Sequence, residues 1–250
     1  MRIASLSPAA TEILFALRQG KEIVCTDQFS NFPEEAKGIP HVRGHKKVNP
    51  EELQSFSPEL VLTGTVIQDR LSQELRKVDF AVVHQDPRTM HQIYESIRAL
   101  GTLVGAEKEA EALILKMQQG FNDVKKKAGL LPGHPRLYEE WYDPPFASGN
   151  WVPEIAALAG GRQFPVLSGE LSKEVTLDQM RAFDPDMIII SWCGAGSLAP
   201  RELLLKRPEW GSLRAIQAGR VRVIDDSLLN RPGLVEGAQR LYGWMFEMLH

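Results

Sequence analysis

Short apolar runs alternate with amphipathic stretches along most of the 250-residue chain. Runs that predict strands are RIASL, EIVCTD, PELVLTG and FAVVHQD in the first third, then RLYEEW, DMIIISW and RVRVID in the second half. Stretches with apolar residues at helical spacing lie between them, among them SPAATEILFALRQ, QDRLSQELRKV and GLVEGAQRLYGWMFEML. Strands separated by helices predict parallel βαβ units with right-handed crossovers, and therefore an α/β fold.

A proline-free stretch between Thr89 and Lys127 keeps its apolar residues at helical spacing, with Gly101 and Gly105 as tolerated interruptions. A single helix of about 35 residues would be about 50 Å long, since each residue adds 1.5 Å. That length is too great for a crossover within one small sheet and indicates a strut between two Rossmann-like lobes with parallel sheets. We expect an N-terminal α/β lobe over 1–88, one long linking helix over 89–131, a C-terminal α/β lobe over 132–250, and a ligand cleft between the lobes.

The two predicted lobes contain similar segments, NPEELQSFSPELVLTG and VTLDQMRAFDPDMIIISW. Each segment has a helix cap, an acidic residue in the first helical turn, a proline followed by an acid, and an apolar strand. The caps are Asn49 and Thr176, and the acids that follow them are Glu51 and Asp178. This internal similarity supports two equivalent halves.

Composition and charge exclude several classes of protein. The formal net charge is −3, which gives no reason to expect a nucleic-acid partner. Cys25 and Cys193 are isolated and lie in apolar runs, so we expect buried free thiols. No apolar run reaches the roughly 20 residues that a transmembrane helix requires. The start MRIASLSPA enters a strand at once, so the chain as written lacks an export signal and is predicted to be cytoplasmic in that form.

Signatures of common enzymes and metal sites are absent from the sequence. The chain has no GxxxxGK[ST] loop, no GxGxxG after a strand, no GxSxG elbow and no HExxH helix. His41 and His45 lie in a loop, and a metal site there would need a third ligand that the sequence does not offer. The acids Glu139, Glu140, Asp143 and Glu154 leave open a glycosidase-like hydrolase, although such acids are usually caps or ion-pair partners. We expect no enzyme, no catalytic residue and no resident metal.

Aromatic residues are concentrated in loops at the predicted carboxyl ends of strands, where parallel sheets bind ligands. They are Phe29 and Phe32 in the first lobe and Phe146, Trp151 and Trp192 in the second. Aromatic rings supply large and stiff contact area for a planar ligand. The alternative is that several of them fill the core below the loops, Trp151 and Phe32 above all.

Several motifs resemble the cobalamin- and ferric-siderophore-binding proteins of ABC importers, and most closely the cobalamin-binding subgroup. They are SLSPAATEILFAL, FSNFPEEA, NPEELQSFSPELVL, DPPFASG and NRPGLVEGAQ, in that order along the chain. The resemblance implies a class III periplasmic binding protein, with a single interdomain helix. It also implies a monomer that binds cobalamin or a related corrinoid as cargo and meets an ABC permease dimer. Such proteins are normally periplasmic or anchored by lipid outside the membrane.

The resemblance and the loop positions together give a set of expected ligand contacts. They are Ser7, Phe29, His45, Gly64, Phe146, Trp151, Trp192, Ser227 and Arg231. A cobalamin-contacting tyrosine of the family falls on Phe29, one cleft tryptophan falls on His45, and another falls on or near Gly64. An acidic neighbour of the family's arginine falls on Ser227, and the imidazole of His45 could reach an axial position of cobalt. The family docks on its permease through acids that fall on Glu51 and Asp178, for which the alternative role is to stabilise the helix dipole.

Two alternatives to the corrinoid importer stay open. The same fold could bind a ferric siderophore or haem, and a siderophore site would use arginines such as Arg43, Arg70 and Arg231. The chain could also be a cytoplasmic corrinoid-handling protein without a transporter, which the missing export signal favours.

Overall fold

The computed structural model describes residues 1–141, 144–192, 198–225, 228 and 233–250. Residues cluster into two compact units, which are described separately. The first unit contains Met1–Pro87 and His91–Lys116, and the second contains Arg88–Met90 and Met117–His250. The three-part division over 1–88, 89–131 and 132–250 stays a proposal.

The first unit is built on a sheet of four parallel strands with the order β2-β1-β3-β4. Its strands are β1 (Ile3–Ser5), β2 (Ile23–Thr26), β3 (Leu60–Gly64) and β4 (Val82–Gln85). Its first three α-helices are α1 (Pro8–Ala16), α2 (Pro50–Ser55) and α3 (Asp69–Lys77), and short 3₁₀ turns lie at Gly20–Glu22, Glu34–Gly38 and Val66–Gln68. The parallel βαβ pattern predicted for this part of the chain is confirmed.

Helix starts in the first unit follow from local sequence. Ser7 has an extended backbone, its side chain accepts a hydrogen bond from Ala10 N, and Pro8 occupies the first helical turn of α1. Asn49 caps α2 in the same way, with Glu51 N as the donor. Strand β3 is buried along its whole length, as expected for a central strand covered on both faces.

The expected unbroken helix between Thr89 and Lys127 is wrong, because the segment forms two helices, α4 (Met90–Leu103) and α5 (Glu107–Ala128). Gly105 has a φ of +66°, which only glycine adopts readily. Its amide donates to Thr102 O at 3.3 Å, and Ala106 N donates to Gly101 O at 2.7 Å. These two bonds form a Schellman motif, which ends α4. Gly105 is therefore a helix stop rather than a tolerated interruption.

The second unit contains a six-stranded sheet with the order β10-β9-β5-β6-β8, in which β7 also pairs with β5. Its strands are β5 (Arg136–Trp141), β6 (Phe146–Ala147), β7 (Arg162–Gln163), β8 (Lys173–Glu174), β9 (Met187–Ile190) and β10 (Val221–Val223). Its remaining helices are α6 (Val152–Leu158), α7 (Leu177–Phe183), α8 (Arg201–Leu205), α9 (Arg214–Gln217) and α10 (Leu234–Leu249), with a 3₁₀ turn at Trp210–Ser212.

Strand direction in this second sheet is mixed. Strands β5, β7, β9 and β10 pair in parallel, as the alternating pattern predicts. The two-residue strands β6 and β8 pair antiparallel and were not predicted. Because β6 follows β5 after a short connection, it can only return antiparallel, since a parallel neighbour needs a long crossover.

A large apolar core lies beneath the second sheet. It includes Tyr138 from β5, Ile188 from β9 and Trp210 from the 3₁₀ turn, all buried. Tyr138 packs against Phe164 and Trp210, with ring centroids 6.3 Å and 6.0 Å away. This core supports the strand ends from which the second lobe's predicted ligand contacts come.

Candidate ligand-binding site

The carboxyl ends of β1, β2 and β3 lie at one edge of the first sheet, because these strands run in parallel. We call this edge the carboxyl edge. The chain passes from β1 outward to β2 and then returns to the other side of β1 as β3. Such a reversal of strand order opens a crevice at the carboxyl ends, which is where α/β proteins bind ligands.

Ser7 and Gly64 meet at this crevice. A Cβ atom on Gly64 would lie 2.8 Å from Ser7 Oγ and 3.2 Å from Gln85 O. Ser7 is buried, and its Oγ accepts the amide of Ala10 at 3.4 Å. Position 64 therefore has no room for a larger side chain, and the expected ligand contact at Gly64 stays a prediction.

Gln68 joins three loops of the carboxyl edge, although sequence reasoning did not identify it. Its Oε1 accepts Gly64 N at 2.7 Å, and its Nε2 donates to Leu6 O at 2.7 Å and to His45 O at 2.9 Å. The side chain is fully buried. A buried amide that satisfies three backbone groups fixes the loop positions, because breaking one bond would leave a buried polar atom unsatisfied.

Asp27 and His45 form a close pair at the same edge, with His45 Nδ1 2.5 Å from Asp27 Oδ2. The second carboxylate oxygen, Oδ1, accepts from Ser30 Oγ at 2.6 Å. The Asp27 side chain is 0% exposed, whereas that of His45 is 21% exposed. Since an ionised carboxylate can only accept, Nδ1 carries a proton, and in the neutral imidazole the lone pair is then on Nε2. No side chain in the described ranges hydrogen-bonds Nε2.

Exposed apolar side chains occupy the loops that follow β2 and β3. They are Phe29 at 37%, Phe32 at 56%, Val66 at 41% and Ile67 at 47% exposure, and we call them the apolar rim. Phe29 meets His45 edge to face, with ring centroids 5.2 Å apart and planes at 84°. The core position considered for Phe32 is wrong, since more than half of its surface is exposed. Because their loops follow the carboxyl ends of β2 and β3, the apolar rim is a candidate surface for ligand contact.

The predicted contacts in the second unit occupy different environments. Phe146 in β6 is half-buried, and its carbonyl accepts from Tyr138 OH at 3.4 Å. Trp151 and Trp192 are buried, and Trp192 belongs to the core beneath the sheet. Burial of Trp151 confirms the core position that was considered for it. Ser227 and Arg231 lie outside the described residues, and the ligand role of all five positions stays a prediction.

Glu154, one of the acids considered for a hydrolase, has a local structural role. Glu154 Oε1 accepts from Ser168 Oγ and, at 3.3 Å, from Met90 N. Asp143 lies outside the described residues. Glu154 thus ties two segments of the second unit together, as the alternative role for such acids predicts.

Glu51 and Asp178 are exposed acids in the first turns of α2 and α7. Asp178 is 92% exposed, and its Oδ1 lies 3.5 Å from Arg181 Nη1, a weak surface pair. Thr176 and Gln179 form a complete capping box at this helix start. Glu51 borders an open groove of about 480 Å³, whose other lining residues are Pro50, Gln54, Ser55, Val78 and Phe80. Both carboxylates are accessible to a partner.

Cys25 in β2 is fully buried. Burial, and next the negative charge of Glu52, raise the pKa of its thiol from the ordinary value of 9.0 to about 12. The predicted buried free thiol is confirmed for Cys25, while Cys193 lies outside the described residues.

The described ranges contain neither a metal-binding cluster nor a membrane-spanning helix. No group of three or more His, Cys, Asp or Glu side chains there could hold a metal ion. None of the helices in those ranges has both the length and the apolar character of a membrane span.

Residues 3–228 match the family model of periplasmic binding proteins, and the chain belongs to that family. The family consists of substrate-binding proteins. This confirms the resemblance that the sequence motifs carry and the two-lobed α/β class.

Individual relatives differ in the ligand that their names state. The vitamin B12-binding protein of Vibrio cholerae is 25% identical over 236 residues, covering 92% of this chain and 83% of that protein. An ABC transporter substrate-binding lipoprotein of Bacillus subtilis is 25% identical over 253 residues, covering 96% and 78%. A periplasmic haem-binding protein of Pseudomonas aeruginosa has the same fold, with a TM-score of 0.86 at 22% identity, covering 100% and 94%.

Proposed function

We propose that the protein binds cobalamin or a related corrinoid as cargo and delivers it to an ABC importer. The observation that carries the proposal is the apolar rim beside His45 at the carboxyl edge of the first sheet. A corrin is large and flat with an apolar face, so it needs exposed rings and aliphatic side chains rather than a small polar pocket. The vitamin B12-binding relative supports this choice of ligand.

The same observation supports a second candidate cargo, haem. A porphyrin also presents a flat apolar face, and its iron takes imidazole as a ligand. A ferric siderophore is less well supported, because Arg70 is already paired with Glu74 at 2.7 Å and Arg231 lies outside the described residues.

Transport rather than catalysis is the activity that the residues favour. Glu154, one of the acids considered for hydrolysis, is used in structural hydrogen bonds. Glu51 and Asp178, in contrast, are exposed at equivalent helix starts and suit paired recognition by basic residues of a two-fold permease. We therefore propose a non-enzymatic carrier that docks through one acid from each unit.

Retention of coloured chelates after desalting tests the cargo. The purified protein is mixed separately with cyanocobalamin, aquacobinamide, haemin and ferrichrome, desalted, and read by visible absorption, with serum albumin as a control for nonspecific adsorption. Stoichiometric retention of a corrinoid supports the proposal. Retention of haemin alone favours haem as the cargo. Retention of ferrichrome alone contradicts both the corrinoid and the haem proposals. Release of all four compounds would show that the protein is not a metal-chelate carrier.

A further inference from the structure

We infer that Arg2 and Arg136 position the exposed acids Glu51 and Asp178 for docking on the permease. Each arginine ties the carboxyl end of the short helix that carries the acid to the sheet of its own unit. The inference rests on the proposed function, since it concerns docking. It gives a role to two arginines that need not contact the partner themselves.

In the first unit, Arg2 joins the end of α2 to the start of β1. Phe56 is the C-cap of α2, and Arg2 lies immediately before β1. Arg2 Nη2 donates to Phe56 O at 2.5 Å, and its Nε donates to Ser57 O at 3.0 Å. The last carbonyls of a helix have no partner within the helix, and a cation beside them is favourable. The guanidinium therefore satisfies the carboxyl end of α2 and fixes its position.

The backbone of the same arginine binds the strand that follows α2. Arg2 N donates to Glu59 Oε2 at 2.6 Å, and Glu59 N donates to Arg2 O at 2.7 Å. Between helix and strand, Ser57 has a φ of +45°, a left-handed conformation that residues with a side chain rarely adopt. Arg2 thus holds this turn at both of its ends. We call these bonds of Arg2 the first clamp.

The second unit repeats this construction around Arg136, the first residue of β5. Arg136 Nη1 donates to O of Phe183, the last residue of α7, at 2.9 Å. Its backbone N donates to Asp186 Oδ2 at 2.7 Å, and Asp186 N donates to Arg136 O at 2.8 Å. Asp184, in the turn between them, has a φ of +46°. We call these bonds of Arg136 the second clamp.

The two exposed acids have the same position relative to their clamps. Glu51 precedes Phe56 by as many residues as Asp178 precedes Phe183. In each helix a side-chain cap holds the first turn, which carries the acid, and the clamp holds the last turn. Helices of this length are not stable in isolation. The position of each acid therefore depends on the contacts at the two ends of its helix.

Loss of a clamp should weaken docking without changing the charge of the acid. A helix whose carboxyl end is released gains freedom, and docking must then restrict that freedom at a cost in affinity. Cargo affinity should not change, because Arg2 lies at the amino end of β1, whereas the candidate cargo contacts of this unit lie at the carboxyl edge. The clamps therefore separate docking from cargo binding.

A further arginine reinforces the second clamp. Arg214 Nη2 lies 3.0 Å from Asp184 Oδ2 and 2.6 Å from Asp186 Oδ1. Arg214 still holds this turn when Arg136 is replaced, so the first clamp offers the sharper test.

Double-mutant cycles on docking test the inference. Arg2→Ala should lower the affinity for the reconstituted cognate permease by about 3- to 10-fold, the scale for ordering a released segment. In a Glu51→Ala background, Arg2→Ala should have no further effect, because Arg2 acts through Glu51. In an Asp178→Ala background, Arg2→Ala should keep its full effect, because the two sites are independent. Equal effects in the two backgrounds would overturn the positioning role.

Arg76→Ala is the matched control for the first clamp. Its Nη2 also donates to a backbone carbonyl of the first unit, Val82 O at 3.1 Å, so this variant should dock as the wild type does. Wild-type docking by Arg2→Ala would overturn the inference while leaving the carrier function intact. Failure of the wild type itself to dock would overturn the proposed docking and the clamps with it.

The second clamp gives an independent cycle, which decides the inference if melting curves show that Arg2→Ala is misfolded. Arg136→Ala should weaken docking in a Glu51→Ala background and have no effect in an Asp178→Ala background. Equal effects in these two backgrounds would overturn the inference. Affinity for the retained chelate, measured by titration calorimetry, should be the same for the wild type and both arginine variants, and a loss of that affinity would contradict a role confined to docking.

Discussion

Gly64 at the end of β3 lies so close to Ser7 that a methyl group on it would come within 2.8 Å of the Ser7 hydroxyl oxygen. Ser7 is the N-cap of α1, so the start of this helix and the end of the neighbouring strand are fitted to each other. The carbonyl of Gln85 lies on another side, 3.2 Å from the same point. Close packing of backbone therefore takes the place of a side chain at the crevice of the first sheet.

Gly64→Ala should lower the free energy of unfolding by about 1–3 kcal/mol, because the added methyl group overpacks a site bounded partly by backbone. Gly38→Ala is the matched control, since a Cβ at Gly38 meets no atom within 4 Å. We expect the control to change stability by less than about 0.5 kcal/mol. Chemical denaturation of both variants measures the difference, and equal stabilities would contradict the close contact.

Helix starts and buried strands were predictable from the sequence because their signals are local. Asn49 and Thr176 were expected to cap helices, and each side chain accepts a hydrogen bond from the first turn. The helix stop at Gly105 was not predicted, because the apolar spacing on both sides of it fits one continuous helix. A Schellman motif depends on the φ angle of one residue, which hydrophobic periodicity does not report.

The candidate site was predictable only in part, because its contacts join residues that are distant in the chain. Asp27 and His45 are 18 residues apart, and Gln68 reaches Leu6 over 62 residues. Neither contact has a local signal, since side-chain pairing of this kind depends on how the strands align. His45 was identified through the family resemblance, while Asp27 and Gln68 were not identified at all. The strands β6 and β8 escaped prediction because two residues are too few to show a period.

Cys25 should be unreactive in the native protein. Burial raises the pKa of its thiol to about 12, so the thiolate that attacks disulfide reagents is scarce at pH 8. In a Cys193→Ser background we expect no labelling by a disulfide reagent at pH 8 until the protein unfolds. The pKa of Cys25 is higher in the folded protein than in the unfolded chain. The contribution of this thiol to the free energy of unfolding is therefore complete below about pH 9 and is lost as the pH rises from 9 to 12. Rapid labelling of the folded protein would contradict the burial of this strand.

Phe146→Ala should weaken cargo binding by about 1–3 kcal/mol, the loss expected for one aromatic contact. The half-buried ring comes from β6, between β5 and β8, and is not part of the buried core, so the melting temperature should change little. Phe246→Ala serves as the control, because Phe246 is an exposed ring on α10. Titration calorimetry with the retained chelate measures both variants. An unchanged affinity for Phe146→Ala would remove this residue from the site.

Replacing Glu51 and Asp178 together by alanine should abolish docking on the cognate permease while cargo affinity changes by less than about 0.5 kcal/mol. Both acids are exposed, so their loss removes charge that attracts basic residues of the partner and leaves the core unchanged.

The control for that double variant is Glu107→Ala with Glu202→Ala. These two acids are also exposed and also lie in first helical turns, of α5 and α8. Both double variants should lose a similar helix-dipole stabilisation, about 0.3–1 kcal/mol per helix, so a difference in docking cannot come from stability. Pull-down on the reconstituted permease at low and high salt measures docking, which should weaken as salt screens the charges. Equal docking by the two double variants would show that Glu51 and Asp178 only stabilise their helices.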